Sequence, residues 1–340
     1  MSENLVEIKG LHKRFPIHGG ILGREVAAVH AVRGVSLAIA KGETLGLVGE
    51  SGCGKSTLGH LMLRLIEPDD GTISFEGKDI THASQSKLRA MRRRMQIVFQ
   101  DPYASLNPRM TVGDIVGEPL LVHKAAGAAG RRDRVMELFS LVGLGPESYG
   151  KYPHEFSGGQ RQRIGIARAI ALTPSFIIAD EPVSALDLSI RGEILNLLSD
   201  LRDKFSLTYL FIAHDLKVVE NISHRVAVMY LGRIMEIFPA DRLAEARHPY
   251  TQALVSAVPV PDPRVKRARA VPKGDVPSQI APPSGCPFHP RCPYAEAQCS
   301  REEPALVEYQ PGFSASCLLI DRMESRRIGV SAPAFAGGSS

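Results

Sequence analysis

The 340-residue chain has no tryptophan, and aromatic residues make up only 6% of it. It also has no stretch near the roughly 18 consecutive apolar residues of a membrane-spanning helix. The expectation is that the chain does not itself cross a bilayer. A strong excess of one charge is missing as well: 41 Lys and Arg stand against 36 Asp and Glu, a net charge of +5. That surplus gives no argument for a nucleic-acid partner, and a solvated surface of mixed charge accounts for it. The opening Met1-Ser2-Glu3-Asn4-Leu5-Val6-Glu7 lacks the basic-then-apolar order of a secretory signal, so a cytoplasmic setting is expected. Cysteine is scarce and unevenly placed. Cys53 stands alone, while Cys286, Cys292, Cys299 and Cys317 crowd towards the end. In a reducing compartment disulfides are not expected, so that cluster calls for another explanation. What is present is the 44% apolar content of a globular protein, on a chain long enough for one large domain with an appendage or for two domains.

Compact apolar runs at 44–48, 176–179 and 207–213 have the length of strands buried on both faces. Helical patterns at 58–65, 131–142, 161–172 and 190–205 lie among them. Strands alternating with helices predict an α/β layer with a mostly parallel sheet. The earlier runs at 7–9, 35–39 and 72–75 are separated by Gly and charged turns and read as antiparallel strands beside that sheet. Residues 259–290 hold nine of the 24 prolines, which predicts a linker or a loop laid over a surface. The basic run at 264–269 lies inside it and reads as a solvated segment, with a lipid headgroup or an acidic partner as the alternative. A small cysteine-bearing module follows, and a tail within 321–340, rich in Gly, Ala and Ser, is expected to be disordered.

Gly49-Glu50-Ser51-Gly52-Cys53-Gly54-Lys55-Ser56-Thr57 follows a predicted strand and opens a predicted helix. This is the pattern of a phosphate-binding loop in its required context. The glycines let consecutive N–H groups face phosphate oxygens, and the helix N-terminus adds its own unpaired donors. Lys55 would reach the β- and γ-phosphates, Ser56 would bind Mg²⁺, and Thr57 could add a further phosphate contact. Asp180 and Glu181 end a buried strand, where two adjacent acids are costly unless they face a cation or water. Asp180 fits a Mg²⁺ carboxylate and Glu181 the group that polarises the attacking water. His214 follows another apolar run in the same way and suits a γ-phosphate contact. Ser157-Gly158-Gly159-Gln160 opens a further helix and forms a second anion-binding terminus without a lysine of its own.

Taken together, residues 49–57, Gln100, residues 157–160, Asp180-Glu181, Ser184-Ala185-Leu186-Asp187 and His214 resemble the ATP-binding cassette ATPases. They match, in order, the Walker A loop, Q-loop, signature motif, Walker B strand, D-loop and switch histidine of that family. Phe15 occupies the place of its adenine-stacking aromatic, with an ordinary buried Phe as the alternative. The resemblance implies a P-loop NTPase fold of the ABC ATPase type. Such a fold has a mostly parallel core sheet, an antiparallel β subdomain and a helical signature subdomain at about 101–172, all within 1–240. It implies ATP and Mg²⁺ as ligands, the latter held by Ser56, Gln100 and Asp180. It further implies a head-to-tail dimer, a heterodimer with a paired ATPase subunit or a homodimer, in which residues 157–160 complete the partner's ATP site. Closure of that dimer and hydrolysis would drive two transmembrane permease subunits, served outside the cell by a solute-binding protein. The chain would then lie on the cytoplasmic face of the membrane.

Residues 98–109 and 152–163, with Phe156 in the signature, look like the oligopeptide and dipeptide importer branch. So do 248–254 and 283–294, which places a family-type C-terminal region at 241–320. Glu50-Ser51-Gly52-Cys53 is more like the second of that branch's two paired ATPases. The same role in an importer of nickel, glutathione or another small solute is the alternative, and a soluble non-transport cassette is a remote one. The spacing Cys286-x5-Cys292-x6-Cys299-x17-Cys317 lacks the close pairs of a zinc knuckle. Four thiolates so placed can hold a [4Fe–4S] cluster. Zinc, with His289 replacing one thiolate, is the second reading, and free thiols the third.

Overall fold

The computed structural model describes residues 3–19, 23–257 and 274–326. The basic run at 264–269, the start of the Pro-rich segment and most of the expected tail lie outside the described residues.

In chain order, the first elements are β1 (Asn4–Gly19), β2 (Arg24–Ala40), β3 (Thr44–Val48), α1 (Lys55–Met62), β4 (Asp70–Phe75), β5 (Lys78–Asp79), α2 (Gln85–Met91) and β6 (Met95–Val98). Then come α3 (Val112–Val122), α4 (Ala128–Leu141), α5 (Gly158–Ile170), β7 (Phe176–Asp180), α6 (Leu188–Phe205), β8 (Thr208–Ala213) and α7 (Leu216–Ile222). The last are β9 (Arg225–Tyr230), β10 (Arg233–Pro239), α8 (Pro249–Ala257), β11 (Val307–Gln310) and β12 (Phe313–Ala315).

The strands form two sheets. An antiparallel sheet runs β2-β1-β4-β5, and a mixed sheet runs β11-β12-β10-β9-β3-β8-β7-β6. Strands β3, β7 and β8 are buried along their whole length. They pair in parallel, as their continuous apolar sequences require. Gly46 in β3 makes room for α7, because a Cβ there would lie 1.9 Å from Val219 Cγ1. The expected α/β class with an antiparallel subdomain is what is found, and no helix among the described residues is long and apolar enough to cross a membrane.

The first helix starts at Lys55, three residues before the expected 58. Gly54 ends the loop in the left-handed region (φ 108°), so helical geometry begins at the lysine itself. The antiparallel strands β1 and β2 run for 16 and 17 residues, far beyond their apolar centres. Helices α3, α4 and α5 lie between β6 and β7, with Thr111 capping α3 through Asp114 N (3.2 Å).

After β10 the chain returns to the sheet. β12 pairs antiparallel with β10 through Glu236–Ala315 and Ile237–Ser314, and β11 pairs with β12. The C-terminal region thus supplies the two outermost strands at one side of the central sheet, β11 being its edge. Glu236 is fully buried there, and its Oε1 accepts from Arg247 N (2.8 Å), His248 N (3.1 Å) and Tyr309 Oη (2.7 Å). Glu303 ties the same region to Arg233. Residues 277–284 are irregular chain with bends, and Gln279 O accepts from His30 N (3.1 Å).

Candidate active site

The carboxyl ends of β3, β7 and β8 converge on one edge of the mixed sheet. Each carries a motif: the phosphate loop after β3, Asp180-Glu181 at the end of β7, and His214 after β8. Ligands of open α/β sheets bind at such an edge. The loop is tightly built. A Cβ on Gly49 would lie 2.1 Å from Met229 O, and one on Gly54 would lie 2.1 Å from Ala31 O. Lys55 is buried, with Nζ donating to Gly49 O (2.9 Å) and Glu50 O (3.2 Å). The lysine therefore folds over the loop's own carbonyls. Cys53 is buried 3.9 Å from Lys55 Nζ, and burial pushes its thiol pKa up. Gly52 has open space around it, and Ser51 is exposed.

Ser56 Oγ donates to Asp180 Oδ1 across 3.0 Å. Burial raises the Asp180 carboxyl above its ordinary pKa, against the pull of the Ser56 hydrogen bond. This hydroxyl and carboxylate are the hard oxygen donors that Mg²⁺ takes. Gln100 follows β6, and its Nε2 donates to Glu181 Oε2 (3.0 Å). His214 Nδ1 lies 3.5 Å from the same oxygen. Glu181 itself has φ 45°, a left-handed backbone at a non-Gly residue, and its N–H is held by Ile212 O (2.9 Å). Strain of this kind is retained where the surroundings fix a side chain's direction.

Phe15 lies on β1, is 39% exposed, and has Lys13 Nζ 5.6 Å from its ring centroid. That exposure differs from the buried core position that is the alternative. The signature segment stands apart. Ser157 caps α5, with Oγ accepting from Gln160 N (3.3 Å) and Gln160 Oε1 accepting from Ser157 N (3.0 Å). Among the described residues no hydrogen bond joins 157–160 to the phosphate loop. Gly159 packs against α6, since a Cβ there would meet Ile190 Cγ2 at 2.6 Å. Asp187 stands at the N-terminal end of the same helix without a capping side-chain bond and is exposed, and the adjacent Leu188 is 84% exposed.

The four C-terminal cysteines line one cavity of about 20 Å³, with Phe288, Leu319 and Met323 also in its wall. Gly285 (φ 65°) makes the turn that sets Cys286 N on Cys299 O (2.8 Å), and a Cβ there would lie 2.5 Å from Cys299 O. Burial raises the Cys286 thiol to about 11 and the Cys317 thiol to about 12. Among the described residues no three His, Cys, Asp or Glu side chains are arranged to hold a single metal ion.

Sequence reasoning missed Arg291, whose Nη1 lies 3.0 Å from both carboxylate oxygens of Glu50. It also missed Tyr250, whose Oη accepts from Glu50 N (3.0 Å). An acid placed inside a phosphate loop was the available signal that a cation had to be nearby.

A family model described as ABC transporter matches residues 32–184, and one described as the oligopeptide/dipeptide transporter C-terminal region matches 235–299. The oligopeptide transport ATP-binding protein AppF of Bacillus subtilis is 53% identical over 94% of this chain and 98% of its own length. The probable peptide ABC transporter ATP-binding protein y4tS of Sinorhizobium fredii is 52% identical over 93% and 90%. Among solved structures, the dimeric cassette MJ0796 bound to ADP and Pi superposes with a TM-score of 0.62 at 28% identity, covering 69% of this chain and 98% of that one. CbiO1 of Clostridium perfringens, part of the transporter complex cbiONQ, gives 0.61 at 26% identity over 72% and 92%. The chain belongs to the ABC transporter family as one of its ATP-binding, ATP-hydrolysing subunits, with a cassette followed by the oligopeptide/dipeptide transporter C-terminal region.

Proposed function

We propose that the chain energises the import of di- or oligopeptides, as the second ATPase of a pair seated on two permeases at the cytoplasmic face of the membrane. Peptide cargo is favoured by the names of relatives about 50% identical along nearly the whole chain. An extracytoplasmic solute-binding protein would deliver it. The observation that carries the site assignment is the convergence of Gln100 and His214 on Glu181, beside the Ser56–Asp180 pair.

In this reading the backbone amides of residues 52–57 and the α1 N-terminus cradle the phosphates. Lys55 exchanges its carbonyl partners for β- and γ-phosphate oxygens. Ser56, Gln100 and Asp180 hold Mg²⁺, which when bound neutralises charge on the β- and γ-phosphates. Glu181 orients the attacking water, and His214 contacts the γ-phosphate. Phe15 stacks on the adenine. Ser157, Gly158, Gly159 and Gln160 complete the partner's site, and the exposed Asp187 faces the same interface. Tyr103, 63% exposed and stacked on the Arg161 guanidinium, marks the surface beside Gln100 that the permease covers.

For the four cysteines the reading is a [4Fe–4S] cluster, with zinc second and free thiols third. They supply four soft donors that line one cavity. Cys286, Cys292, Cys299 and Cys317 would hold it, and its role would be structural or regulatory, because ATP hydrolysis needs no electron carrier. Anaerobic purification followed by iron, zinc and acid-labile sulfide analysis tests this, and absence of all three leaves free thiols. Co-purification with two permeases, and ATP-dependent peptide uptake by the reconstituted complex, test the transport reading. Uptake of a non-peptide solute alone would overturn it.

A further inference from the structure

Glu50 places a carboxylate in the loop that is to receive a triphosphate, a repulsive arrangement unless the charge is compensated. The compensation comes from 241 residues away. Arg291 sits on a 3-10 turn (His289–Arg291) between Cys286 and Cys292, with its side chain only 10% exposed. Its Nη1 bridges both oxygens of Glu50 at 3.0 Å and also donates to Tyr230 Oη (3.3 Å).

The same loop residue is gripped at its backbone. Glu50 N donates to Tyr250 Oη (3.0 Å), and Glu50 O accepts from Lys55 Nζ (3.2 Å). Phe288, three residues before Arg291, packs its ring against Tyr230 (5.5 Å) and Tyr250 (5.3 Å). Gln279 Nε2 donates to Gly52 O, two positions along the loop. Tyr250, Gln279, Phe288 and Arg291 all lie beyond β10, yet they hold the cassette's phosphate loop from behind. Their contacts accompany a Gly54 conformation (φ 108°) that starts α1 at Lys55.

We propose that Arg291 is a positioning residue for ATP: it neutralises Glu50 and fixes the loop in its phosphate-receiving shape, so that the C-terminal region sets nucleotide affinity. The inference rests on residues 49–57 being the ATP site.

The test is ATP titration of the full-length chain by fluorescence, with thermal melts as a folding control. Arg291→Gln leaves Glu50 uncompensated, and affinity should fall about tenfold, within the usual range of coupling between sites. Glu50→Gln, made at the more exposed partner, removes the repulsion together with the pair and should fall less. The double variant should bind within about threefold of wild type, because removing the second charge cancels the effect of removing the first. Arg291→Lys should recover most of the lost affinity. Wild-type binding by Arg291→Gln, or losses that simply multiply in the double variant, would overturn the proposal. Lys55→Ala separates this from the site assignment: retained ATP binding there overturns the reading of the loop and not the pairing.

Discussion

Gln100 Nε2 and Glu181 Oε2 lie 3.0 Å apart, joining a residue two positions past the end of β6 to the residue just after its neighbour β7. The strands β6 and β7 pair in parallel from Met95–Phe176 to Val98–Ala179, and this register carries both side chains to the same sheet edge. Glu181 is thereby aimed by a hydrogen bond from Gln100 while His214 approaches the same oxygen. Replacement of Glu181 by Gln keeps the shape but removes the acceptor charge proposed to orient water. Turnover should fall about 10²-fold or more, with a stable dimer accumulating in the presence of ATP. Phosphate release and size-exclusion chromatography check the two outcomes, and unchanged turnover would remove Glu181 from its proposed role.

Gly54→Ala tests the loop's construction. A side chain there meets Ala31 O at 2.1 Å from a backbone at φ 108°. The left-handed backbone alone costs a non-Gly residue about 1–3 kcal/mol, and a 2.1 Å approach to a backbone oxygen cannot be kept. The loop is expected to shift instead and lose ATP binding, which equilibrium titration measures. Affinity equal to wild type would contradict the geometry.

Ser157→Arg separates binding from hydrolysis. Among the described residues, 157–160 make no hydrogen bond to their own phosphate loop, so ATP binding by the isolated chain should stay within about twofold. Hydrolysis by the assembled complex should drop about 10²-fold, as expected on losing donors that stabilise developing charge. Equal losses in binding and hydrolysis would place the segment in its own chain's site.

Glu236 predicts a pH dependence of folding. Burial raises its carboxyl pKa above the ordinary 4.5, against hydrogen bonds from Tyr309 and from the Arg247 and His248 backbone. A raised folded pKa means that its contribution is fully present below 4.5 and is lost as pH rises through the folded value. Glu236→Gln keeps an acceptor and no charge, so it should flatten this part of the stability profile. Glu236→Leu strands three donors and should cost about 3 kcal/mol at any pH. Denaturant titrations across pH read both effects, and a Leu variant as stable as wild type would refute the account.

Strands β3, β7 and β8 were legible because residues buried on both faces leave uninterrupted apolar runs. The phosphate loop was legible because its glycines are demanded by contacts such as Gly49 against Met229 O. The helix α3 was not singled out: Gly113, Gly117 and Pro119 interrupt its pattern, yet its place is set by tertiary packing and by its Thr111 cap. The ends of β1 and β2 were hidden because long antiparallel partners extend by backbone pairing where side chains face solvent. The Glu50–Arg291 pair had no local signature at all, since a bond across 241 residues is set by topology. The four cysteines were visible as a set, but their shared cavity depends on the turn at Gly285.

The pairing of β12 with β10 has a consequence for how the protein can be cut or rebuilt. A cassette ending at Pro239 would bare β10, with Met235 O and its neighbours no longer met by the strand around Ser316. Such an open row of amides and carbonyls invites pairing with another chain. The C-terminal region therefore also works as a guard against self-association, and a shortened cassette is expected to aggregate unless that rim is given another cover.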